Sequence, residues 1–187
     1  MPSNQCFANH TQRRASRGFS LIEVVTVMSI AAILVAIAVP SYRYVTAANR
    51  IAGEGNGLLG DLQYARGEAI KEGQNVGVCI STNSTSCTGG THWEAGWVVY
   101  SDLNNNGALD AGEPVLRIQT PFSGTDTFVV TPALAAVTFN REGFAAVPNA
   151  TILTLKTVPE VTAYTRCLTV GLIGLMAIQP YNGGTCN

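Results

Sequence analysis

Arg17-Gly18-Phe19-Ser20-Leu21-Ile22-Glu23 opens an apolar run that continues to Val39. From Phe19 to Val39 the chain offers 21 residues, of which only Ser20, Glu23, Thr26 and Ser29 are polar. At about 1.5 Å per residue, a helix of that length spans the ~30 Å hydrocarbon core of a bilayer. Lipid offers no partners to a backbone, so a single segment crossing it is a helix. Glu23 is the odd residue. A carboxylate near the centre of a spanning segment costs about 2.5–3.5 kcal/mol, so it needs a partner and marks function. Pro40 follows the run and removes one backbone hydrogen bond from a helix that continues through it.

Gly18-Phe19-Ser20-Leu21-Ile22-Glu23 resembles the type IV prepilin processing site, found in pilins, minor pilins and the pseudopilins of type II secretion. The resemblance implies cleavage after Gly18 by a prepilin peptidase and N-methylation of Phe19. Glu23 then becomes the fifth residue of the mature chain, where the family's carboxylate meets a neighbouring subunit's terminal amine. The physics agrees, because a buried carboxylate is tolerated when a cation and hydrogen bonds compensate it, and cleavage creates an ammonium group. Pro40 falls where the family's long helix often kinks. Two other readings of the run stay open: an ordinary anchor in which Glu23 is incidental, and a secretory signal with Ala36-Ile37-Ala38 as its cleavage site. The run exceeds a usual signal core of roughly 7–15 residues and contains an acid.

Residues 1–18 carry Arg13, Arg14 and Arg17 and no acid, which places the N-terminus in the cytoplasm and the bulk of the chain outside it. Removing them leaves 11 − 3 = 8 basic residues against 12 acids, a formal charge of 8 − 12 = −4 before the new N-terminus is counted. That is not the charge of a general nucleic-acid binder. Cys6 lies in the leader, so four cysteines remain: Cys79, Cys87, Cys167 and Cys186. An even number in an exported domain points to two disulfides, with three connectivities on paper. Proximity in the sequence favours Cys79–Cys87 and Cys167–Cys186; free buried thiols or a metal site are the alternatives, and no CxxC or Cys/His spacing supports metal.

Residues 41–73 continue the helix as an amphipathic half, because Ile51, Leu58, Leu62, Ala65 and Ala69 recur at helical spacing and make one apolar stripe. Gly53, Gly55, Gly57 and Gly60 each weaken it by about 0.5–1 kcal/mol relative to alanine. They mark a loosened patch or, alternatively, close packing against a sheet. Gly73 is the expected stop. From Asn75 the pattern changes to period two. Short strands are expected at 76–81, 93–100, 114–119, 127–130, 136–139, 144–146, 152–157, 166–170 and 175–179, with Trp93 and Trp97 on one strand face. The fold class is α+β: a long N-terminal helix packed on a C-terminal antiparallel sheet domain. The expected division is 1–18 leader, 19–40 spanning half, 41–73 amphipathic half and 74–187 β-rich domain.

The β region resembles the GspH/FimT pseudopilin domain through Cys79, Trp93-Glu94-Ala95-Gly96-Trp97-Val98-Val99-Tyr100, Asp102, Glu113-Pro114-Val115-Leu116-Arg117 and Phe139-Asn140-Arg141-Glu142-Gly143. That branch includes the H-type pseudopilin and the minor pilins resembling FimU and FimT. The resemblance implies a minor pilin that primes a type IV pilus and sits at its tip, or else the H-type pseudopilin of type II secretion. It implies other minor and major pilins, a prepilin peptidase and an inner-membrane assembly platform as partners. It also implies a single-pass inner-membrane protein with a periplasmic domain, later incorporated in the filament.

Residues 102–113 fit the calcium-loop pattern D-x-[DN]-x-[DN]-G-x5-E, with oxygens from Asp102, Asn104, Asn106 and Glu113. A metal-free hairpin connection is the other reading, since Asn and Asp cap their own backbone in turns. Some FimT-like pilins bind DNA through a Gly-Arg-x-Arg motif on the C-terminal loop; here the place holds Gly174-Leu175-Met176-Ala177, and no Lys or Arg follows Arg166. Phosphate neutralisation lacks its cations, so DNA binding is not expected. No G-x-S-x-G, HExxH or paired carboxylates with a base suggest an enzyme, and His92 reads as a loop residue. Leu172, Ile173, Leu175, Met176 and Ile178 are expected in the core, with a subunit contact as the alternative.

Overall fold

The computed structural model describes residues 18–182 and 186. The leader up to Arg17, with Cys6, Arg13 and Arg14, lies outside the described residues. The chain divides into two compact units, Met1–Tyr42 and Arg43–Asn187. One helix, α1 (Leu21–Glu72), contributes to both and contains Pro40. The boundary between the units falls just past that proline.

In the first unit every described residue is exposed, and α1 holds a stretch long and apolar enough to cross a membrane. In the second unit the helical stripe does what its spacing predicts. Ile51, Gly55, Leu58, Leu62, Ala65 and Ala69 are the buried residues of α1. The helix stops at Gly73, whose amide closes on Ala69 O at 3.0 Å with φ 70°.

Nine strands follow among the described residues: β1 (Asn75–Ile80), β2 (Trp97–Asp102), β3 (Val115–Gln119), β4 (Thr127–Thr131), β5 (Ala136–Phe139), β6 (Ala145–Ala146), β7 (Thr151–Lys156), β8 (Arg166–Val170) and β9 (Met176–Pro180). They build two antiparallel sheets, one ordered β3-β2-β1-β5-β6 and the other β4-β7-β8-β9. The apolar stripe of α1, Val76, Val78, Ile80, Trp97, Val99 and Phe139 of the first sheet, and Phe128, Leu153, Leu155 and Leu168 of the second form one core. This is the α+β fold expected from the period change at Asn75.

Both disulfides join the cysteines nearest in sequence. Cys79–Cys87 closes a loop of separation 8 and Cys167–Cys186 one of separation 19, each with Cα atoms 5.6 Å apart. In the chain-entropy account such loops stabilise by about 2.5 and about 3 kcal/mol. Cys79 packs with Val98 and Tyr100 in a second, smaller cluster.

Three expectations are corrected. Trp93–Ala95 is a 3-10 turn, and the strand starts only at Trp97. The break is Gly96, at φ 99°, where a Cβ would meet Gln119 O at 2.6 Å. Both tryptophans are nevertheless buried in the core. Second, the glycine patch is not a loosened segment, since α1 runs through it unbroken. A Cβ on Gly55 would meet Leu155 Cδ2 at 2.8 Å, whereas at Gly53, Gly57 and Gly60 it would enter open space. Third, Leu172, Ile173 and Leu175 are 52, 56 and 64 % exposed, because they occupy the turn between β8 and β9. Only Met176 and Ile178 pack on the core.

Candidate assembly site

The sequence places Gly18, Phe19 and Glu23 within about one helical turn of one another, and the structure keeps them together at the start of α1. The first helical bond runs from Val24 N to Ser20 O at 3.2 Å, so Gly18 and Phe19 precede the helix. Phe19 is 81 % exposed, and Gly18 and Phe19 lie outside any helix or strand. The polar residues of the run divide into two kinds. Thr26 Oγ1 donates to Glu23 O at 2.9 Å and Ser29 Oγ to Val25 O at 2.8 Å, so both hydroxyls are satisfied by their own helix. The Glu23 carboxylate has no hydrogen bond or ion pair to any described residue. It lies in a shallow concavity with Phe19, Val24, Val27 and Met28. An apolar face of this length with one unmatched carboxylate is complementary to apolar cover that brings a cation.

The loop at 102–113 is held by its own polar atoms. Asp102 Oδ1 and Oδ2 accept from the amides of Asn106 at 3.0 Å and Gly107 at 2.8 Å. Glu113 Oε1 and Oε2 accept from Leu103 N at 2.8 Å and Asp110 N at 2.9 Å. Asn104 and Asn106 turn their amide nitrogens onto Asp110 Oδ2 at 2.8 and 2.6 Å, which holds the Asp110 carboxyl below its ordinary pKa. Each carboxylate that would bind calcium is thus already engaged by N–H donors. Among the described residues no three His, Cys, Asp or Glu side chains are grouped to hold a metal ion.

The remaining residues flagged in the sequence have structural partners. His92 Nδ1 sits 2.7 Å from Glu94 Oε1, and Glu94 Oε2 accepts the Phe128 amide at 2.8 Å. Arg166 donates to Ala163 O and Thr165 O, both at 3.0 Å. The Gly174-Leu175-Met176-Ala177 stretch begins in the β8–β9 turn, and the nearest cation is one that sequence spacing missed. Arg66 of α1 donates to Gly143 O at 2.9 Å and Ile173 O at 3.4 Å, and ties the two turns to the helix.

The sequence reading also missed the polar ties along α1. Arg50 grips Asp126, whose side chain is fully buried, through both Nε and Nη2, the latter to Oδ1 at 2.7 Å. Beside them Glu54 is pushed up to about 7, first by burial and then by the Asp126 charge, with Arg50 opposing. Asp61 accepts from Trp97 Nε1 and Arg117 Nη1, each at 2.9 Å. Partners 36 to 76 residues apart leave no local signal in a sequence.

Residues 54–174 match the family described as type II transport protein GspH, and residues 13–39 match the prokaryotic N-terminal methylation motif. The crystal structure of the type IV minor pilin FimU of Pseudomonas aeruginosa PAO1 is similar in fold. One crystal form gives a TM-score of 0.58 at 21% identity, covering 71% of this chain and 90% of that one. A second gives 0.50 at 20% identity, covering 73% and 92%. No curated protein matches the sequence. The chain belongs to the GspH family of pilin-like proteins and carries its N-terminal methylation motif.

Proposed function

We propose that the chain is a minor pilin that primes assembly of a type IV pilus and takes a place at its tip. The observation that carries this reading is the unmatched Glu23 carboxylate on the exposed apolar half of α1, beside the methylation motif around Gly18 and Phe19. A second subunit of the same kind supplies both things this face lacks: apolar cover and, once cleavage after Gly18 has freed it, an ammonium group. The mechanism is non-covalent. Helices drawn from the inner membrane by the assembly platform bundle through their apolar faces, and Glu23 fixes their register. The β-rich units, periplasmic before extraction, then stack with other minor and major pilins.

In this reading the 102–113 loop is a metal-free connection, supported by the N–H donors on Asp102 and Glu113. DNA is not a partner, supported by the absence of basic residues after Arg166 and the use of Arg66 and Arg166 on backbone carbonyls. No catalytic role is assigned.

The test is Glu23→Ala in cells. Membrane fractionation should show normal insertion, while the variant disappears from sheared filaments. A variant recovered in filaments at the wild-type level contradicts the register role. The H-type pseudopilin of type II secretion is the second reading, favoured by the description of the matched family. Deleting the gene separates the two: loss of surface pili supports the pilus, and loss of exported enzymes with pili intact supports secretion.

A further inference from the structure

Arg50, Glu54 and Asp126 form a cluster that assembly does not use. Arg50 and Glu54 stand one helical turn apart on α1, and Asp126 leads into β4 from the far side of the sequence. The Asp126 side chain is fully buried against the Arg50 guanidinium, whose charge is also felt by Glu54. Glu54 Oε2 is buried without a hydrogen-bond donor. An ionised carboxylate oxygen buried without a donor is costly, which favours the protonated form of Glu54. A proton on Glu54 lets it donate an O–H···O hydrogen bond to Asp126 and brings the cluster charge from −1 to zero.

We propose that Arg50, Glu54 and Asp126 are a proton-dependent clamp that docks the first packed turns of α1 onto β4, closed with Glu54 protonated and loosened when Glu54 ionises. Arg50 stands 50 − 39 = 11 residues past the end of the apolar run, so the clamp governs the stretch where the chain leaves its spanning segment. Other charged groups near this end of the sheet do not intervene. Lys156 of β7 and Glu160 of the following loop pair with each other at 3.1 Å, and besides its burial the charges that act on Glu54 are those of Asp126 and Arg50.

The sign follows from the raised pKa of Glu54. Its folded value of about 7 lies above the ordinary 4.5, so the docked state is favoured most below 4.5 and loses that support as pH rises through 7. The test is hydrogen–deuterium exchange of the full chain in detergent, corrected for intrinsic rates, at pH 5.5 and 8.5. Segments 47–55 and 122–130 should lose roughly tenfold or more protection in the wild type. Glu54→Gln should hold its protection equal at the two pH values, and Glu160→Gln should respond as the wild type does. Equal wild-type protection at both pH values, or an unchanged response in Glu54→Gln, overturns the clamp. If Glu54→Gln fails to fold, a 13C titration of the wild-type Glu54 carboxyl decides: a midpoint near 7 supports it and one near 4.5 overturns it.

Discussion

The indole N–H of Trp97 donates to Asp61 Oδ2 at 2.9 Å, joining the start of β2 to the C-terminal half of α1. Trp97 is buried, and Asp61 also receives Arg117 Nη1 from β3 at 2.9 Å. Arg117 in turn lies 3.6 Å above the Tyr64 ring, so three elements meet on one carboxylate. Asp61→Ala leaves the indole N–H buried without an acceptor, which costs about 1–3 kcal/mol. Denaturant unfolding followed by tryptophan emission should show that loss, and an unchanged midpoint contradicts the tie.

The glycines of α1 make a paired prediction. Gly55 faces Leu155 and Ile178 across a gap too small for a side chain, so Gly55→Val should destabilise the packed unit by about 1–3 kcal/mol. Gly57 opens onto empty space, so Gly57→Ala should stabilise it by about 0.5–1 kcal/mol through helix propensity. Thermal unfolding of both variants checks the signs. Matching shifts in one direction would mean that α1 does not present Gly55 to the second sheet.

Calcium should have no effect on the 102–113 loop. An ion at 100 times its dissociation constant adds about 2.7 kcal/mol to stability, a shift of several degrees in a unit of this size. Unfolding in 1 mM calcium and in chelator should give midpoints within about one degree. A rise of several degrees that Asp102→Asn abolishes would restore the metal reading.

What the sequence disclosed follows from the range of each interaction. The stripe from Ile51 to Ala69 was visible because helical burial repeats locally, and the disulfides because their loops are short. Trp93 misled because an aromatic-rich run looks like a strand, although Gly96 between the tryptophans was the available signal of a break. Leu172, Ile173 and Leu175 misled because apolar identity says nothing of turn position, yet Gly171 and Gly174 bracket the turn. Of the candidate assembly site, Gly18, Phe19 and Glu23 sit in one short motif that the sequence displays directly. The Arg50–Asp126 and Trp97–Asp61 pairs were not legible, because only the folded chain brings them together.

The central claim is that this chain is processed at Gly18 and works through the helix that cleavage exposes. Intact mass of the membrane-extracted protein, from cells with and without the candidate prepilin peptidase, tests it most directly. The account predicts loss of residues 1–18 and gain of one methyl group, both dependent on the peptidase. A mature N-terminus after Ala38 would contradict it, because the protein would then be a freely secreted β-rich domain and Glu23 would have no part in its action.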